Sequence, residues 1–189
     1  MNKKCVRIFT MLFVFSLLLT GFTGCSNAKV KDKFDHFIFG TTFDMCKEQF
    51  KNYKIETEGN EYIEIENYKT IDGKQLSLTL SFTNRLVIDS DMKELDDYRL
   101  TNYSYSIREV DNNYSKQLVE NFCKVYGEPE SNNYFELSAK DTEWRSAIWN
   151  TADINIQIHD IINSNSFTFI GFRIADNDRK NFKKYVTKK

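Results

Sequence analysis

The residues with chemistry to offer are four cysteines, two histidines, two tryptophans and several clustered carboxylates. Cys5, Cys25, Cys46 and Cys123 include no Cys-x-x-Cys pair, so neither a dithiol redox motif nor a zinc knuckle is readable. Nucleophilic catalysis needs a positioned base. His36 and His159 are the available imidazoles, and no Gly-x-Ser-x-Gly elbow accompanies them. Both read as surface or strand-end histidines. Glu61, Glu64 and Glu66 are close enough in sequence to suggest acid–base work on a sugar. Their alternation instead puts Glu64 and Glu66 on a solvent face. Asp89, Asp91, Glu94, Asp96 and Asp97 carry the hard oxygens that suit calcium. They lack the Asp-x-Asp-x-Asp-Gly loop, and the run reads as a solvated connection between two halves. Walker A, dinucleotide and His-Glu-x-x-His signatures are absent from the sequence. The expectation is a chain without a catalytic constellation, a metal site or a cofactor.

One thiol stands apart. Lys3, Lys4 and Arg7 form a basic start, and Ile8 to Leu19 is an almost unbroken apolar stretch. Twelve residues suit a signal-peptide core, whereas a spanning helix needs about 20. The stretch closes on Phe22-Thr23-Gly24-Cys25. Small residues at the two positions before a cysteine resemble the lipobox of bacterial lipoproteins. The resemblance implies a diacylglyceryl group on Cys25, palmitate-type acylation and cleavage after residue 24. It places the chain on the outer face of the cell membrane. Two or more fatty chains hold a protein there stably, at about 0.8 kcal/mol per buried CH₂. Phe22 departs from the usual Leu of that motif, and Ser26 is not the Asp that retains such proteins at an inner membrane. Abundant Lys, Asn, Ile and Tyr point to an AT-rich, Gram-positive source.

The remaining cysteines, Cys46 and Cys123, permit two readings. An extracytoplasmic disulfide would close a loop of about 76 residues and contribute about 4 kcal/mol. Two buried free thiols would each act as a small hydrophobe. A length of 189 residues suits one domain, and 41% hydrophobic against 28% charged residues describes a globular chain. With 7 Gly and 1 Pro, collagen-like and linker classes are excluded. A net charge of -1 argues against a nucleic-acid partner. Residues 1–24 carry three basic and no acidic groups, so the remainder holds 23 basic and 27 acidic residues, net −4. The end of the chain runs the other way, with Arg179, Lys180, Lys183, Lys184, Lys188 and Lys189. This basic tail reads as a terminal helix over 178–189, solvated or docked on anionic lipid or wall polymer.

Positioning falls to two similar halves. Residues 25–33 read as a lipidated cysteine and polar tether, reaching about 25–30 Å. The domain is expected over 34–189, with units of about 37–110 and 111–176. In the first, Thr41 or Thr42 caps a helix whose buried face is Phe43, Cys46, Phe50 and Tyr53. Strands then alternate through Glu61–Glu66, Gln75–Phe82 and Leu100–Val110, with Asp72-Gly73 as a hairpin turn. In the second, Asn112 or Asn113 caps a helix to about Tyr126, closed by Gly127 and Pro129. Strands follow near 134–137, 144–150, 154–159 and 167–174. The fold class is therefore α+β, two tandem helix-plus-antiparallel-sheet units in one compact body.

The Phe39-Gly40-Thr41-Thr42 entry and the Tyr126-Gly127-Glu128-Pro129 exit resemble the SmpA/OmlA lipoprotein domain and the beta-lactamase inhibitory protein fold. That resemblance implies a fold and carries no partner or activity. The leading reading is a non-enzymatic module at the cell envelope, contacting another protein, a peptide or a wall polymer through an open concave sheet face. The first alternative is an inhibitor or protective protein that plugs an enzyme or phage factor. The second is a hydrolase of envelope polymer. Trp144, Trp149, Tyr103 and Tyr105 are the candidate binding face, with Phe167 and Phe169 adding to an aromatic side of one sheet.

Overall fold

A computed structural model of the chain describes residues 32–132, 144–161, 167–175 and 179–186. Residues 32–42 form an extended lead segment. Thr42 caps helix α1 (Phe43–Gln49) by accepting the Met45 N–H on its hydroxyl, and Asp44 lies in the favourable first turn. Four strands follow: β1 (Ile55–Glu58), β2 (Tyr62–Ile71), β3 (Lys74–Ile88) and β4 (Asp91–Arg108). Helix α2 (Asn112–Tyr126) leads to β5 (Ser131–Asn132), β6 (Trp144–Asn150), β7 (Ile154–Ile161) and β8 (Phe167–Ile174). A 3-10 turn spans Lys180–Tyr185. No described helix is long and apolar enough to cross a membrane.

The expectation of two α+β units is corrected by the sheet. All eight strands join one antiparallel sheet in the order β1-β2-β3-β4-β8-β7-β6-β5. Among the described residues the architecture is β-rich, with two short α-helices on a single sheet. Each half does run as a meander, but β4 pairs with β8 from Asn102↔Arg173 to Arg108↔Phe167. Alternation along a strand fixes which face a residue takes; it does not say whether the two end strands stay apart or pair.

Register shows why the sheet is one-sided. Ile63, Leu80, Tyr103, Phe172, Ile156 and Trp149 lie side by side across six strands, all buried. Beside them runs the row Ile65, Leu78, Tyr105, Ile170, Ile158 and Ala147. Phe43, Cys46 and Phe50 from the first helical turn region, and Leu118, Val119 and Phe122 from α2, close over this face in one core. A third row turns polar: Thr168, Asp160 and Arg145 follow Leu76 and Ile107. The N-terminal turn of α2 sits there. Arg145 donates to Asp160 at 3.1 Å and to Asn112 at 3.0 Å, and Thr168 donates to Asp160 at 2.6 Å.

Several local expectations shift. Asp111, not Asn112 or Asn113, caps α2, accepting the Tyr114 N–H at 2.7 Å. A shorter α1 leaves Tyr53 beyond the helix and exposed. The Asp89–Asp97 run is not a link between halves. Asp89 and Ser90, both at positive φ, make the β3–β4 hairpin turn, like Asp72 and Gly73 between β2 and β3. The far part of this hairpin builds a small second core of Leu86, Ile88, Leu95, Ile174 and Phe182. The basic terminal helix is the short 3-10 turn instead, tied down by a Leu95↔Val186 bridge. The folded body also takes in Asp32 and Lys33, which the tether reading placed outside it. The strand expected near 134–137 lies outside the described residues.

Phe172 sits at the β4–β8 seam, stacked on Tyr103 at 4.9 Å and 15°. Phe172→Ala is expected to cost about 3–5 kcal/mol. Met92→Ala, at a side chain 64% exposed, is expected to change stability by less than about 0.5 kcal/mol. Urea unfolding of both variants checks the contrast; equal midpoints would refute the placement of the seam.

Candidate functional site

Two places combine polar groups with a shaped surface: the lead segment on the helix side, and the opposite face of the sheet. The lead segment is held by its aromatic residues. Phe34 packs on Tyr105, Phe122 and Phe172 at 5.1–6.3 Å, and Phe37 and Phe39 both pack on Tyr103. Between these rings lie Asp32, Asp35 and His36. The Asp32 side chain is 4% exposed. It accepts from His36 Nε2 at 2.9 Å, from the Phe34 N–H at 2.9 Å and from the Tyr126 hydroxyl. His36 Nδ1 meets the Tyr103 hydroxyl at 2.9 Å. Asp35 accepts from Lys69 at 2.7 Å and Tyr68 at 2.8 Å, and its backbone oxygen accepts from Tyr105 at 2.7 Å. A bulge makes the second contact possible. Between Ile65 and Lys69 the β2 register slips at Asn67, φ 53, turning Tyr68 and Lys69 toward the lead segment.

Burial pushes the Asp32 carboxyl up, but the His36 and Tyr126 bonds, the His36 charge and the Phe34 N–H outweigh it and hold it below the usual range. Asp35 follows the same pattern, with Lys69 and Tyr68 overcoming burial. Burial drives the phenols of Tyr68, Tyr103, Tyr105 and Tyr126 upward, so each remains a protonated donor. An aspartate aligning an imidazole is the start of a catalytic relay. Here the outer nitrogen of that imidazole meets a protonated phenol, and among the described residues no serine or cysteine is bonded to it. The arrangement is a latch fixing the lead segment between the helices.

The sequence candidates fall as follows. Tyr103 and Tyr105 are fully buried, and Trp149 is 2% exposed. Trp149 packs on Phe122 at 5.7 Å and donates to the Gly127 carbonyl at 2.8 Å. These three are core, and the binding face assigned to them is corrected, because their strand parity turns them toward the helices. Trp144 begins β6, and its side chain lies outside the described residues. Cys46 and Cys123 are free, on separate helices, so the bridge weighed above is not formed. Burial pushes the Cys46 thiol up to about 11, an inert packed sulfur. His159 is on a strand as expected, and burial lowers its pKa against the opposing Asp160 charge. Among the described residues no three His, Cys, Asp or Glu side chains gather as metal ligands.

The other face is built by the alternate residues. Glu64, Thr79, Ser104, Gly171 and Gln157 form one row, and Ser77, Ser106, Phe169, His159 and Ser146 the next. Neither described helix covers them. No family model, no curated protein and no solved structure matches the chain. The site therefore rests on geometry.

Sequence reasoning placed Asp32 in the tether and read 34–39 only as a lead-in to the domain, so the roles of Asp32 and Asp35 in holding it were missed. A carboxylate held low in the folded state adds stability above its unfolded pKa, about 4, and loses it as pH falls through the folded value. Asp32→Asn is expected to cost about 1–3 kcal/mol at neutral pH and to flatten the acid limb of stability. Urea midpoints at about pH 7 and pH 3 read this; an unchanged pH slope would rule out the latch.

Proposed function

We propose that this chain is a membrane-anchored extracytoplasmic lipoprotein, acylated at Cys25, that works as a non-enzymatic binding module at the cell envelope. The reading is carried by one observation: an eight-stranded sheet packs its helices and lead segment on one face and leaves mostly polar side chains on the other. An antiparallel sheet tolerates one solvated face. The N-terminal signal supports the location, since Lys3, Lys4, Arg7, the apolar run and Phe22-Thr23-Gly24-Cys25 stand in the order a lipoprotein leader needs. The latch supports the geometry of display. It fixes the chain from Asp32 onward on the helix side of the sheet.

Two measurements test this. Growth with a labelled fatty acid is expected to label the wild type and not Cys25→Ser; equal labelling removes the anchor. Photo-crosslinking in intact cells is expected to lose its partner when Thr79→Arg and Ser106→Arg place charge on the open face, with the unfolding midpoint unchanged. Retention of every crosslink by that double variant would refute the contact face.

A further inference from the structure

The far end of the β3–β4 hairpin carries a separate feature. Past Phe82, where pairing with β2 ends, the two strands continue as an arm. There Leu86 stands opposite Lys93, Val87 opposite Met92 and Ile88 opposite Asp91. Residues directly opposite in an antiparallel pair share a face. Leu86 and Ile88 are buried in the small second core, so Lys93 and Asp91 rise on that same side, while Val87 and Met92 are exposed on the other. The 3-10 turn at Lys180–Tyr185 supplies an opposing wall. Its Phe182 enters the second core, Val186 packs against that core and bridges Leu95, and Lys183 reaches Asp89 at 3.5 Å.

Between the arm and this turn lies a cleft of about 320 Å³, lined by Ile88, Asp89, Asp91, Lys93, Lys183 and Val186. That is the lower end of the range for small-ligand clefts, about 300–1,000 Å³. The floor is apolar, made by buried Ile88 and half-buried Val186. The rim is charged, with two carboxylates from the hairpin turn and one ammonium group from each wall. They stand as two ion pairs, Lys93 with Asp91 at 3.1 Å and Lys183 with Asp89 at 3.5 Å. Ion pairs this exposed contribute little to stability, so turning their charges toward a bound molecule costs little.

The mixed rim narrows the occupant. A ligand with one charge satisfies half of it and is opposed by the other half. A ligand that carries both a carboxylate and an ammonium group satisfies all four residues. An apolar side group on it covers Ile88 and Val186 and removes apolar surface from water. We propose that this cleft binds a small zwitterion with an apolar side chain, a free amino acid or dipeptide, its carboxylate on Lys93 and Lys183 and its ammonium group on Asp89 and Asp91. The site does not rest on the contact-face reading.

The full-length chain, purified in detergent, is titrated calorimetrically with leucine and with leucylleucine. Binding of at least one, with Kd between about 10 μM and 1 mM, is expected. N-acetylleucine keeps only the carboxylate and leucinamide only the ammonium group; each is expected to bind about 10-fold more weakly or worse. Asp91→Asn and Lys183→Ala are each expected to weaken binding by about 5-fold or more. Both side chains are more than half exposed, so unfolding midpoints in urea are expected to stay at the wild-type value. Asp89→Asn is a further reporter, since Asn tolerates the positive φ of that turn. No heat with either zwitterion up to about 10 mM overturns the proposal. Equal affinity for leucine and for either singly charged derivative overturns the zwitterion class. Binding that Asp89→Asn, Asp91→Asn and Lys183→Ala all leave at the wild-type value overturns the cleft as its site.

Discussion

The pairing of β4 with β8 is the constraint from which the rest of the molecule follows. It brings the last strand of each meander together, so that Tyr103 stacks on Phe172 and Tyr105 lies beside Ile170. Two small sheets would each bury one thin layer, and four strands with one helix is close to the least that holds together. Joined, they share one aromatic core and place both helices against it. The seam also creates the seat for Phe34, whose ring touches Tyr105 and Phe172 on the two strands that meet there. The lead segment thus depends on a contact that neither half contains by itself.

Polar groups inside this core are arranged at its two sides. On one, phenols from β4 and α2 point into the lead segment and donate to Asp32 and to the Asp35 backbone. Buried donors of this kind need partners, and the lead segment supplies them. On the other side Arg145 and Asp160 are direct cross-strand neighbours, nearly fully buried, with Thr168 and Asn112 completing their bonds. A buried ion pair adds little net stability, because both charges leave water. Its geometric demand is strict, and here it ties the β6–β7 register to the N-terminal turn of α2. Ser115 of α2 reaches Thr168 at 3.2 Å and extends that tie to β8.

Much of the local structure was legible along the chain. Alternation gave the inward Leu76, Leu78, Leu80 and Phe82, and the Asp72-Gly73 pair gave its hairpin, since both residues must take positive φ. Helix faces and Gly127 as terminator were readable for the same reason: they depend on neighbours within a few residues. The acidic run from Asp89 was misread, because Asp89-Ser90 is a weaker turn signal than Asp-Gly and the strands on both sides carry charge on their solvent face. The aromatic candidates were misplaced for another reason. Period two says that Tyr103 and Tyr105 share a face, but not which face the helices will take.

What the sequence by itself determined is therefore most of the strands and the two α-helices, the two-sidedness of each strand and the order of basic, apolar and small residues before Cys25. Those are short-range properties, set by side-chain periodicity and by the few residues that tolerate a turn. The tertiary structure alone decided that the two meanders fuse at β4 and β8, that Asp32 and His36 belong to a latch, and that Phe169 with Gly171 marks the uncovered side. Each of these joins residues far apart in the chain, such as Asp32 with Tyr126 or Ser106 with Phe169. Backbone pairing and burial choose such partners collectively, and no local pattern carries that choice.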